Sequence, residues 1–116
     1  MTSDRRESLR VTPERPLHAR AVGVDADFKL LDVSLGGFLV EGPVAFGRRA
    51  SHRFRITDPT GGRVIELEAQ AVRCRLRSSV PVPTYQTGFA FLNHRHPATA
   101  AKVRVLIESL TVQPVD

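Results

Sequence analysis

Apolar and polar residues alternate with period two along most of the chain, the mark of strands that bury one face. Leu17 to Val24 reads as a first strand, Phe28 to Val33 as a second, and Phe38 to Glu41 as a third after the tight Ser34-Leu35-Gly36-Gly37 turn. From Ser51 to Thr57 the alternation is clean: Phe54 and Ile56 face one way, Arg53 and Arg55 the other. Asp58-Pro59-Thr60-Gly61-Gly62 has the residues of a hairpin turn.

The next stretch, Arg63 to Arg77, changes parity partway. Ile65, Leu67, Ala69 and Ala71 share one parity, and Val72, Cys74 and Leu76 take the other. A side-chain period of two tolerates that only where an extra residue is inserted, which predicts a bulge or sharp bend at residues 69–72. Cys74, alternating with Val72 and Leu76, reads as a small core residue. Bent strands are what a small closed barrel needs at its corners. A Pro-rich loop (Ser78 to Thr84) leads to a last strand, Tyr85 to Leu92, with Phe89 and Phe91 on one face. Pro97 then suits a helix first position, and Ala100, Val103, Leu106, Ile107 and Leu110 follow at helical spacing. The expected fold is all-β: about six antiparallel strands in a barrel, with one C-terminal helix. Residues 1–16, polar and holding prolines at 13 and 16, read as a flexible N-terminal arm; residues 17–112 form the body.

Composition changes this picture in two places. The 116-residue length suits one domain and excludes an enzyme with separate cofactor and substrate lobes. Lys+Arg number 17 against 12 Asp+Glu, a net charge of +5, and all the basic residues but Lys29 and Lys102 are arginine. Arginine's planar fork matches phosphate oxygens and guanine edges two bonds at a time, so phosphates or nucleobases are the expected partners. The single cysteine forms no internal disulfide, no apolar run nears the ~20 residues of a membrane span, and no signal-peptide core follows Met1; the expected compartment is the cytoplasm.

Signatures of catalysis are missing. His94 and His96 are the only close histidines and have no Cys or carboxylate at metal-ligand spacing, so neither metal nor cofactor is expected. Neither a nucleophile elbow nor a phosphate-binding Walker loop occurs.

Two motifs remain. Arg6 and Arg10 lie four apart in the arm, preceded by Arg5, and Asp32-Val33-Ser34-Leu35-Gly36-Gly37 lies at a strand exit. Each alone has an ordinary reading, as a solvated tail and as a turn held by side-chain to backbone bonds. Together they are complementary halves of a site for an anionic guanine nucleotide. Forked arginines take phosphate oxygens and the O6/N7 edge of guanine. A carboxylate such as Asp32 accepts from guanine N1–H and N2–H₂, Ser34 adds a hydroxyl, and the glycines let ligand and backbone approach.

Arg-x-x-x-Arg at 6–10 followed by Asp-x-Ser-x-x-Gly at 32–37 resembles the paired signature of PilZ domains. The resemblance extends to Val72-Arg73, similar to a later Val-Arg strand, and to Gly88-Phe89-Ala90-Phe91, similar to a Gly-x-x-Phe strand. It implies a split-barrel-type six-stranded antiparallel β-barrel with a C-terminal helix that binds the bacterial second messenger cyclic di-GMP. By that resemblance Arg6 and Arg10 clamp guanine and phosphate, Asp32 bonds a guanine edge, Ser34 supports a phosphate or the turn, and Gly36 and Gly37 keep the surface open. Arg5 stands where the family chooses between one ligand and a stacked pair, and its guanidinium favours the pair. A stand-alone domain of this kind signals through arm closure and a downstream protein partner.

Two other readings compete: an adaptor that docks protein without ligand, and a basic small barrel that binds single-stranded nucleic acid. For the second, Arg73, Arg75 and Arg77 with Arg48, Arg49, Arg53 and Arg55 form a phosphate-tracking groove; the plainer alternative is a solvated barrel face.

Overall fold

The computed structural model describes residues 11–13, 17–57 and 62–111, with side chains described as far as residue 108. Six strands and a helix follow in order: β1 (Leu17–Ala21), β2 (Phe28–Val33), β3 (Gly37–Gly42), β4 (Ser51–Thr57), β5 (Val64–Ser78), β6 (Thr84–Phe91) and α1 (Pro97–Thr111). The strands are antiparallel and close into a barrel in the order β1-β2-β3-β6-β5-β4. The first strand is shorter than its alternation predicts, because Val24 N donates to Ala21 O at 3.0 Å and turns the chain.

The interior follows the alternation. All six phenylalanines of the chain, at 28, 38, 46, 54, 89 and 91, are buried. Their rings interlock: Phe54 meets Phe89 edge-on at 4.7 Å between centroids, and Phe38 stacks on Phe89 at 5.3 Å. Such pairs add about 0.5–1.5 kcal/mol each beyond the area they bury. With every phenylalanine inside, no phenylalanine is left for a base-stacking platform on the surface, which weakens the single-strand reading.

Helix α1 buries Val103 and Leu106 in the same core, with Ile107 partly buried beside them. Its start is capped by His96, whose Nδ1 accepts from Ala98 N at 3.2 Å and whose carbonyl accepts from Ala100 N at 2.9 Å. Lys102 Nζ donates to the Glu66 carbonyl at 3.3 Å, holding the helix against β5.

The bulge in β5 is where the parity change puts it. Ala71 pairs with Phe89 and Arg73 with Gly88, so Val72 is the extra residue. A second shift falls between Leu76 and Ser78. Strand β4 pairs with β5 only as far as Gln70, so from Val72 onward β5 has β6 as its one strand neighbour among the described residues. That corrects the expected burial of its later apolar positions. Cys74 does face Thr87, whose Oγ1 donates to its Sγ at 3.2 Å, but it is only partly covered. Val72 is 49% exposed and Leu76, at the barrel rim opposite Tyr85, is 54% exposed. Alternation selects the inward side of a strand; burial also needs a neighbour on that side.

Candidate functional site

Strand β2 ends in the Asp32–Gly37 motif. Ser34 N donates to Gly37 O at 2.8 Å and the Ser34 hydroxyl lies 3.4 Å from the same oxygen, so this serine closes the turn. A side chain on Gly37 would fall onto the Phe89 carbonyl oxygen, with Phe89 C and Ala90 Cα at 3.1 and 3.2 Å. The bare Cα of Gly37 is therefore required by close packing of β3 on β6. Gly36, one residue earlier, is exposed with nothing within 4 Å of where a Cβ would stand.

The arm arrives at this turn. Val11 N donates to Val33 O at 2.8 Å and Val33 N donates to Val11 O at 3.0 Å, a two-bond antiparallel bridge. Val33 is the residue between Asp32 and Ser34. Arg5, Arg6 and Arg10 lie outside the described residues, as does most of the arm; Arg10 is one peptide bond from Val11.

Across the outer face of the sheet, register places Asp32 beside Leu39, Leu39 beside Gly88, and Gly88 beside Arg73. Three interstrand steps make this row about 14 Å long. The next row along is Lys29, Glu41, Gln86 and Arg75, with Gln86 Nε2 donating to Glu41 Oε1 at 2.9 Å. Over the β3, β6 and β5 positions Leu39, Gly88, Gln86, Arg73 and Arg75 of these rows lies a cleft of about 450 Å³, walled by Ser34, Gly36 and Gly37 on one side and by Val72, Arg73 and Arg75 on the other.

Sequence reading missed that second wall. It grouped Arg73, Arg75 and Arg77 with Arg53 and Arg55 as one basic face, and the structure separates them. Arg53 pairs with Glu68 at 3.1 Å and Arg55 with Glu66 at 2.7 Å across the β4–β5 hairpin. The two carboxylates neutralise the groove that the nucleic-acid reading needs. Arg73, Arg75 and Arg77 make no ion pair among the described residues. The signal for this was in the hairpin register, which sets Glu66 and Glu68 opposite Arg55 and Arg53, whereas Gln86 and Gly88 stand opposite Arg75 and Arg73. Another cleft, of about 330 Å³ beside α1, is lined by the already paired Arg53 and Glu68 with Glu66 and Lys102. Among the described residues no cluster of His, Cys, Asp and Glu suits a metal ion, and no helix is long and apolar enough to cross a membrane.

No protein-family model and no curated protein sequence matches the chain. Solved structures do. The PilZ domain of YcgR from Escherichia coli, solved with c-di-GMP, superposes with a TM-score of 0.73 at 22% identity over 92% of each chain. The fold is that of a PilZ domain. YcgR in complex with c-di-GMP from Escherichia coli gives a TM-score of 0.71 at 22% identity, covering 92% of this chain and 46% of that one. The Bacillus subtilis inhibitor of motility MotI/DgrA gives 0.67 at 19% identity, covering 91% and 51%. This chain thus spans about half the length of the latter two. The expected six-stranded antiparallel barrel and its closing helix match this fold.

Proposed function

We propose that this PilZ-fold domain is a receptor for cyclic di-GMP in the bacterial cytoplasm, not an enzyme, and that it signals through a downstream protein partner. The observation that carries the reading is the Val11–Val33 bridge. It sets Val11, the residue that follows Arg10 in sequence, against Val33, which lies between Asp32 and Ser34, and this supports reading the two motifs as parts of one site. Arg6 and Arg10 clamp phosphate and the guanine O6/N7 edge, and Asp32 accepts from the guanine N1–H and N2–H₂. Ser34 holds the turn, Gly36 leaves the approach open, and Arg5 stacks on a second guanine to favour a paired ligand. The arm closes over the ligand and loses conformational entropy in doing so, and the closed arm presents a changed surface to the partner. The fold neighbours solved with c-di-GMP support the ligand class.

Titration calorimetry with cyclic di-GMP, and GTP as competitor, tests this. The wild type binds saturably and GTP does not displace the ligand. Arg10→Ala or Arg6→Ala costs about 1.5–3 kcal/mol of binding, a ten- to hundredfold loss, with the melting temperature unchanged. A wild type that binds nothing at high micromolar ligand overturns the receptor and favours the ligand-independent adaptor.

A further inference from the structure

From Val72 to Ser78, β5 runs past the start of β4, and on that side its backbone pairs with no strand among the described residues. The last bonds there are at Ala71, where Ala71 N donates to Ala50 O and Arg49 N donates to Ala71 O, each at 2.8 Å. Beyond them lies about 20 Å of open strand edge. The turn that follows ends it, because Pro81 and Pro83 have no N–H with which to extend a ladder.

An open edge of this length is a template for another strand. Its side chains indicate which strand fits. On one face Arg73, Arg75 and Arg77 make no ion pair among the described residues. On the other face Cys74 is partly covered and Leu76 is exposed, and Val80 and Val82 add exposed apolar surface at the hairpin end. A second copy of this chain does not fit. Antiparallel pairing centred on Arg75 sets Arg75 against its twin and Arg73 against Arg77, and parallel pairing in register sets each arginine against itself. A slip of one residue sets arginines on the Leu76 side. A lipid surface has no partner to offer a row of backbone groups. We propose that the 72–78 edge of β5 docks an extended acidic segment of a partner protein as an added strand, its Asp or Glu residues against the arginines and its alternate apolar residues against Cys74 and Leu76. Main-chain bonds hold such a segment, and the charge pattern that repels a second copy selects it. The proposal does not depend on the receptor reading, since no nucleotide takes part.

Arginines on an edge also serve simply to repel other strands, and that role predicts that no acidic strand binds. Amide NMR of the full chain without nucleotide decides, with a capped peptide of alternating glutamate and valine, about nine residues long, as the probe. Saturable shifts at residues 72–78 are expected, and none with the lysine–valine counterpart or with a scrambled peptide of the same composition. N-methylating alternate residues on the peptide's pairing side abolishes the shifts. Arg75→Glu combined with Arg77→Glu weakens binding about tenfold and melts like the wild type. Absence of shifts at 72–78 up to millimolar peptide overturns the proposal. Equal shifts with the scrambled or N-methylated peptide overturn strand addition and leave charge attraction alone. A wild-type dimer in sedimentation that the double variant abolishes overturns the acidic occupant in favour of a second copy. Binding to phosphatidylglycerol vesicles that the double variant abolishes, with no peptide shifts, overturns it in favour of lipid.

Discussion

The two halves of β5 both alternate apolar with polar or charged residues and live in different surroundings. From Val64 to Gln70 the strand pairs with β4, joined on its other side by β6 from Ala69; its odd residues fill the core, and Glu66 and Glu68 face outward against Arg55 and Arg53. From Val72 to Ser78 only β6 flanks it, its apolar residues are half in water, and Arg73, Arg75 and Arg77 face outward without an ion-pair partner among the described residues. The contrast teaches that an arginine's meaning depends on its cross-strand neighbour. Opposite a glutamate it belongs to the sheet; opposite a glycine or glutamine, at the wall of a cleft, it is available to an anion. Net charge carries none of this information, and register carries all of it.

The largest effect that sharpens the comparison is in the core positions. Leu67→Ala, at a site 3% exposed, is expected to cost about 2–5 kcal/mol in urea denaturation, whereas Leu76→Ala on the same strand stays within about 0.5 kcal/mol. Equal costs would mean that the rim is as well packed as the barrel interior. The turn facing the second half of β5 gives a smaller contrast. Gly37→Ala pushes a methyl onto the Phe89 backbone and loses about 1–3 kcal/mol; Gly36→Ala, built into open space, melts like wild type. The smallest effect concerns the paired arginines. Arg55→Ala removes an ion pair whose two side chains are 58% and 41% exposed, worth about 0–1 kcal/mol and fading as salt is raised. Arg73→Ala, with no ion pair to lose among the described residues, leaves stability and its salt dependence where they were.

Much of the barrel was legible along the chain. The bounds of β2 and β4, the helix start at Pro97 and the position of the β5 bulge all follow from local alternation and turn chemistry. The phenylalanines at 54, 89 and 91 are buried as their parity requires. Leu76 was misread because parity gives direction and not depth: its inward side looks out over the barrel rim, where Tyr85 is its partner and β4 has already ended. His96, at which no metal is expected, caps α1, a role that depends on where the helix begins.

The candidate site divides along the same line. Its motif residues could be named from spacing and donor chemistry alone, since Asp, Ser and Arg are chosen by what they bond. Its second wall could not. Asp32 and Arg73 are distant in sequence and share a row only because β3 and β6 pair between them when the barrel closes. Likewise, Val11 meets Val33 through two backbone hydrogen bonds that any pair of residues can make, so nothing in their side chains announces the contact. By itself the sequence determined the strands, the helix, the parity change and the chemistry of the two motifs, because each is a local property of neighbouring residues. Only the tertiary structure decided which strand edges meet, and with them the arm's junction at Val33, the cleft over Leu39 and Gly88, and the arginines that have no carboxylate partner among the described residues.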